Sequence, residues 1–449
     1  MKIIEDLHSA PMSRFQVVAI SVALLLLLMD GYDLAVMAFV APSLSEQWTL
    51  PADSLGYLIS AGLFGTAVGS IVLAPIADRI GRRPLTLACL VIIIAGLVGS
   101  GFSTNFELMF ASRVVTGLGI GGLAATLNVL VSEMSSNRRR GLAMGVFAAG
   151  FSIGATVCGI VARWMIPAFG WQSMFFVGAA VTIALLLVCV RLLPESLEFL
   201  LTKQPPSALE RANSILDKIG MSQLSELPAP DKTESIEGSV REVLSRTMII
   251  RTILLWIGYG CLVAGYYFFS TWLPKIMATT TGDKTIGITL GTIANFGGIL
   301  GCLVFGVLTS YFAIRKVLIT MLTAGGVACL AFAAVLGQTG LAMVVAALIG
   351  LLLMGGIVGF YTQPHAVYSP RARATGNGWM IGIGRLVSIA APVVTGYLIA
   401  AHWTPASLFV AYSVPLFVAA LCIVTLGMAS RRPGMGSMSE VSPAPAETR

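Results

Sequence analysis

Charge is scarce in this chain: Asp, Glu, Lys and Arg make up 11% of its 449 residues. Soluble domains carry roughly 25%, so a water-facing surface over most of the chain is excluded. Histidine occurs only at positions 8, 365 and 402, too sparsely for a zinc or haem site. His365, near the inner end of a hydrophobic stretch, is read as a group that bonds a nearby carbonyl or relays a proton. The cysteines, Cys89, Cys158, Cys189, Cys261, Cys302, Cys329 and Cys422, fall singly without metal-type pairing and read as small apolar packing residues. No nucleophile, metal or cofactor constellation is visible, so the expectation is a protein that is not an enzyme and needs no cofactor. The first apolar run is long and lacks a small-residue cleavage site after a short core, so no removable signal peptide is read.

What the chain does have is apolar length, with 56% hydrophobic residues and a mean hydropathy of +0.88. A helix needs roughly 20 apolar residues to cross a bilayer, because every backbone polar group must be satisfied within the segment. Such stretches predict membrane spans over 15–40, 54–76, 85–104, 107–131, 141–163 and 172–193. A second set follows over 250–274, 286–309, 316–337, 341–367, 374–400 and 404–429. The fold expected is therefore all-α and integral to the membrane, with twelve transmembrane helices in two six-helix bundles. The bundles would occupy 1–193 and 248–430, joined by a cytoplasmic linker over 194–247, with a Pro/Ser/Gly-rich disordered tail over 431–449. Within the linker, Ser207 and Glu210 have capping-box spacing, and Leu209, Ala212, Ile215, Leu216 and Ile219 keep helical periodicity up to Gly220. This predicts a short amphipathic helix under the bundle.

Orientation follows from the bases. Arg79, Arg82 and Arg83 follow the second span, Arg138 to Arg140 the fourth, Arg315 and Lys316 the eighth, and Arg371 and Arg373 the tenth. Of the 28 Lys and Arg, only Arg163, Lys275 and Lys284 fall in the opposite loops, and Arg113 and Arg385 lie inside spans. The positive-inside rule then puts both termini and the linker in the cytoplasm. The net charge of +7 reads as a topology signal, not a nucleic-acid footprint.

Four charges remain inside spans: Asp30, Asp33, Arg113 and Arg385. Their formal charges cancel, which is the least costly way to hold such groups in low dielectric. Asp30 and Asp33 are three residues apart and share a helical face, so both can address one cavity. A guanidinium suits bidentate recognition of a carboxylate. One reading is that an Arg accepts a substrate carboxylate and its released Asp partner takes a proton. The other is a fixed ion network that only locks helices together.

The loop after the second span, Ala74-Pro-Ile-Ala-Asp78-Arg79-Ile-Gly81-Arg82-Arg83, resembles the signature of the major facilitator superfamily, with Ala74 where the pattern has Gly. A degenerate echo, Gly306-Val-Leu-Thr-Ser310-Tyr-Phe-Ala313-Ile-Arg315-Lys316, stands at the matching place in the second half. Arg113-Val-Val-Thr-Gly117-Leu-Gly119-Ile-Gly121-Gly122 resembles the superfamily's fourth-helix motif. Ser132-Glu133 and Pro194-Glu195-Ser196 resemble its sugar-porter-like branch. Asp30-Gly-Tyr-Asp33, with Arg373-Ala-Thr-Gly376 and Gly382-Ile-Gly384-Arg385, resembles the aromatic acid:proton symporter family.

That resemblance implies proton-driven import of a benzoate-like or hydroxybenzoate-like anion across a bacterial cytoplasmic membrane, by a chain that functions as a monomer. Its partners would be the organic anion, the proton and the bilayer. Asp30 and Asp33 would couple protons, and Arg113 and Arg385 would hold the substrate carboxylate or the empty-site acids. Tyr32, Asn128, Tyr266, Asn295 and Trp379 are candidates to line the ring site. Asp78, Arg79, Arg82, Arg83, Glu133, Arg140 and Arg373 would form a cytoplasmic gate, with Asp78 pairing to neighbouring bases. Three alternatives stay open: carriage of a pyridine carboxylate or aliphatic acid, a drug:proton antiporter of the same fold, and a membrane enzyme or receptor.

Overall fold

The computed structural model describes residues 7–137, 140–228, 242–245, 248–369 and 372–430. The predicted tail over 431–449 and part of the linker lie outside these residues, as do Arg138, Arg139 and Arg371. The first half contains α1 (Arg14–Gln47), α2 (Ala52–Val72), the short α3 (Ala74–Ile80), α4 (Arg82–Gly101), α5 (Phe106–Met134), α6 (Arg140–Phe169) and α7 (Gln172–Leu192). Two short linker helices follow, α8 (Leu197–Lys203) and α9 (Ala208–Ile219). The second half contains α10 (Ile249–Thr281), α11 (Lys284–Tyr311), α12 (Ile314–Val335), α13 (Thr339–Val367), α14 (Arg373–Ala400) and α15 (Pro405–Ser430). Twelve of these helices are long and apolar enough to cross a membrane.

Three helices run well past their predicted ends, and each passes through a proline: α1 at Pro42, α6 at Pro167 and α10 at Pro274. A proline removes one intrahelical bond, but neighbouring helices and side chains re-satisfy the freed groups inside a membrane bundle. The extension of α1 moves Asp30 to its midpoint, about 25 Å from either end. In the other direction, the second predicted span ends early at Leu73, where Pro75 opens α3.

Each half has its own apolar core. One joins Leu26, Val36, Phe39, Cys89, Leu97 and Phe175, and the other joins Leu262, Phe268, Leu322, Phe332, Phe360 and Phe409. Within the first half α2 lies almost in backbone contact with α5. A Cβ at Gly65 or Gly69 would strike the carbonyls of Val114 or Leu118, and one at Gly117 the carbonyl of Gly62. Small residues are what allow membrane helices this approach. The halves meet where α2 packs on α14, α6 on α11 and α1 on α10.

Hydrogen bonds and ion pairs between the halves gather at the end away from the termini. Tyr57 and Tyr397 share a 2.8 Å hydroxyl bond, Ser60 donates to the Ile389 carbonyl at 2.7 Å, and Arg163 donates to Thr289 at 2.7 Å. Lys275 donates to Ser45, and Lys284 pairs with Glu46.

The linker helices carry a small core of Leu197, Leu200, Leu201, Ala212, Ile215 and Leu216, onto which Leu7 and Phe15 pack. The expected capping box at Ser207 does not form. Ser207 is left-handed (φ 60°) and makes no side-chain cap bond, because the Pro205-Pro206 turn sets its backbone. A capping box does form at the start of α1, between Ser13 and Gln16.

Candidate binding site

The four intramembrane charges divide into two unlike sets. Arg113 of α5 donates from both terminal nitrogens to the two carboxylate oxygens of Asp33 on α1, each at 2.6 Å, and to the Asp33 carbonyl at 3.2 Å. Arg113 is 2% exposed and Asp33 4%, so this is a desolvated fork-to-fork pair. Its guanidinium carbon stands 5.9 Å from the Phe175 ring centre, and Gly62 leaves room for its other edge.

Asp30 and Arg385 behave differently. They sit near the midpoints of α1 and α14, one from each half, and both are half-buried. They lie within electrostatic reach of one another, yet no hydrogen bond or ion pair joins either side chain to another among the described residues. Tyr259, Tyr267 and Tyr361 lie within electrostatic reach of Arg385, and the Tyr259 hydroxyl meets that of Tyr361 at 3.2 Å. Gly384 permits this, since a Cβ there would strike the Tyr259 ring. The shared helical face of Asp30 and Asp33 therefore serves two partners: Asp33 is clamped inside its own half, and Asp30 looks across to the other.

Of the ring-site candidates, Tyr266 and Asn295 come together. They line one small cavity of about 10 Å³ with Ser152 of the opposite half, Ser270 and Met354. That is room for about one water centre, so a ring could enter only if the helices part. Trp379 is 41% exposed and stacks on Trp256 with ring centres 5.6 Å apart. Asn128 is exposed and donates to the Ala124 carbonyl of its own helix at 3.0 Å. Tyr32 turns to the first half. It is 5% exposed and donates to the Met174 carbonyl at 2.7 Å, because two residues along a helix rotate it about 200° from Asp30, toward α7 and away from the second half.

Of the expected gate residues, Asp78 and Arg79 are exposed, and no ion pair joins Asp78 to a base among the described residues. The acids that meet the bases there are Glu133, itself one of the expected set, and Glu195. Glu133 pairs with Arg82 and accepts from the Ser196 hydroxyl at 2.6 Å. Glu195 accepts from the backbone amides of Arg82 at 2.7 Å, Arg83 at 3.2 Å and Ser196 at 3.1 Å, and meets Arg211 at 3.4 Å. It thus caps the first turn of α4, where orphan amides and the helix dipole favour a carboxylate. Gly81, at φ 102°, makes the turn that brings these amides onto it. Arg83 donates to the Val190 carbonyl at 2.6 Å. Arg140 begins α6, and its side chain lies outside the described residues. The buried Nε of Arg373 has no hydrogen-bond partner.

Sequence reasoning did not name Glu195, Trp256, Tyr259, Tyr267 or Tyr361 as site residues. The Pro194-Glu195-Ser196 motif was a usable signal for the first. The aromatics offered none, since membrane spans hold many rings that face lipid.

Twelve apolar helices in two packed halves, with an acid and a base within electrostatic reach of each other from the two halves, make a polytopic membrane bundle. A partially occluded inward open xylose transporter from E. coli shares this fold, with a TM-score of 0.70 at 15% identity over 93% of this chain and 97% of that one. The Major Facilitator Superfamily profile matches residues 23–363 and 255–437, and the chain belongs to that superfamily. It is a transporter and not an enzyme. The 4-hydroxybenzoate transporter PcaK of Acinetobacter baylyi is 29% identical over 431 residues, covering 93% of this chain and 92% of the relative. A gallate transporter of Pseudomonas putida is 28% identical, covering 95% of each. The niacin transporter NiaP of Acinetobacter baylyi is 25% identical, covering 95% of this chain and 97% of the relative.

Proposed function

We propose that this chain is a proton-coupled secondary transporter that imports a small aromatic carboxylate by alternating access, with both termini in the cytoplasm. The observation that carries the reading is the contrast between the two charge pairs. The Asp33–Arg113 pair is closed on itself, so it holds α1 to α5 and leaves no edge for a ligand. Arg385 and Asp30 lie within electrostatic reach of one another and, among the described residues, neither side chain makes a hydrogen bond or ion pair, so a guanidinium fork is free to take a substrate carboxylate. Once that carboxylate neutralises Arg385, Asp30 loses its facing cation in a half-buried setting and its proton affinity rises. Anion and proton together carry no net charge through the low-dielectric step, and release of the acid restores the empty pair.

The tyrosines around Arg385 and the Trp256–Trp379 stack supply the flat apolar surfaces and hydroxyls that a ring acid needs. Relatives that carry hydroxylated benzoates at 28–29% identity support the aromatic class. The niacin transporter supports a pyridine carboxylate as the second reading. Export of cationic drugs fits poorly, because Arg385 presents positive charge to the seam.

The test is uptake of labelled aromatic, pyridine and aliphatic acids into proteoliposomes with a pH gradient imposed or collapsed. Aromatic acids are expected to accumulate only with the gradient, and Asp30→Asn is expected to abolish accumulation while leaving the folded protein intact. Undiminished gradient-driven uptake by Asp30→Asn removes Asp30 from the coupling role.

A further inference from the structure

A second cavity, unrelated to the seam, lies where α4 begins and α7 ends. It measures about 310 Å³, within the roughly 300–1,000 Å³ typical of small-molecule sites. Arg83, Arg191, Arg211 and Lys218 line it, against the acids Glu195 and Glu210. Glu195 adds little free negative charge, since its oxygens are spent on three backbone amides and on Arg211. The cavity is therefore a net cationic basin.

Two observations show that these bases await an acceptor. Among the described residues the buried Nε of Arg83 has no hydrogen-bond partner, although Nη2 of the same guanidinium reaches the Val190 carbonyl. Arg191 is exposed, and no ion pair involves it among the described residues. Lys218, seven residues after Arg211 on the same face of α9, rests 5.6 Å from the Phe15 ring centre.

Position identifies the ligand. The basin stands at the mouth of two apolar spans, and the adjoining surface of α7 is apolar and exposed at Leu187 (64%) and Val190 (48%). We infer that this basin binds the phosphate of an anionic phospholipid headgroup, with the acyl chains lying along the Leu187–Val190 face of α7. The chemistry is phosphate recognition by guanidinium and ammonium groups, and the apolar face beside it selects a lipid over a free ion. A bound headgroup would tie α9 to the ends of α4 and α7.

The experiment is native mass spectrometry of the purified full-length protein with added phosphatidylglycerol, phosphatidylcholine or inorganic phosphate. Wild type is expected to retain phosphatidylglycerol in preference to phosphatidylcholine, and equimolar inorganic phosphate should not displace it. Each base near an anionic headgroup contributes about fivefold in affinity, so Arg191→Gln with Lys218→Gln should weaken retention about 25-fold. The charge-preserving Arg191→Lys with Lys218→Arg should retain the lipid. Equal retention by wild type and the neutral variant overturns the proposal, as does loss in the charge-preserving variant. Displacement by inorganic phosphate at equal concentration overturns the lipid assignment in favour of a free anion.

Discussion

Replacing Asp33 by Asn keeps the shape of the side chain and removes one charge from a pair that has no other source of compensation. Arg113 loses a partner bound through two 2.6 Å charge-assisted bonds. At 2% exposure it cannot turn to water, and its buried Nε already lacks an acceptor. What remains is one uncharged amide oxygen on the substituted side chain, the backbone carbonyl at position 33 and the face of Phe175. Breaking a buried ion pair by removing one partner costs about 3–5 kcal/mol, and the single remaining side-chain acceptor puts this site toward the lower end. At about 2–4 °C per kcal/mol, the unfolding midpoint in detergent should fall by about 10 °C, read by intrinsic fluorescence. Removing both charges, as Asp33→Leu with Arg113→Met, should recover most of that loss, because an apolar pair of similar volume costs little in such a setting. A single variant that melts like wild type, or a double variant no better than the single, would refute the view that this pair is a desolvated clamp.

Two other variants separate binding from architecture. Arg385→Lys keeps the charge and loses the planar fork, so the apparent KM for the carboxylate should rise about tenfold with the midpoint of unfolding unchanged; an unaltered KM in the uptake assay argues against carboxylate recognition there. Glu195→Ala strands the first amides of α4 and the Arg211 guanidinium, and should cost about 3 kcal/mol, whereas Glu195→Gln, which keeps an acceptor oxygen, should recover part of it. Equal melting of Glu195→Ala and wild type would show that water replaces the cap without loss.

The spans were legible because a 20-residue apolar run has few other uses, and the charges inside them because each is costly enough to need a reason. Their ends were less so. The predicted spans close at 40 and 274, yet α1 and α10 continue through Pro42 and Pro274. Side-chain direction was harder still: Asp30, Tyr32 and Asp33 sit within one turn of α1 and point to the second half, to α7 and to α5. A sequence gives that angular order but not which neighbour occupies each sector. Asp78 stood in the motif as the gate's acid, but the folded linker delivers Glu195 to the adjacent amides, a long-range meeting that no local spacing encodes. Tyr259 and Tyr361 depend likewise on the contact of α10 with α13.

The glycine-lined approach of α2 to α5 has a mechanical meaning. Backbones in such intimate register cannot slip past each other without collision at Gly62, Gly65 and Gly117, so the first half is stiff along that line. The seam with the second half combines side-chain tips such as Tyr57 to Tyr397 and Glu46 to Lys284 with a glycine contact of α2 on α14, where a Cβ at Gly56 or Gly396 would strike the carbonyl of Pro392 or Ala52. In the proposed alternating access, these seam contacts are the ones that must part, while the α2–α5 pairing stays whole.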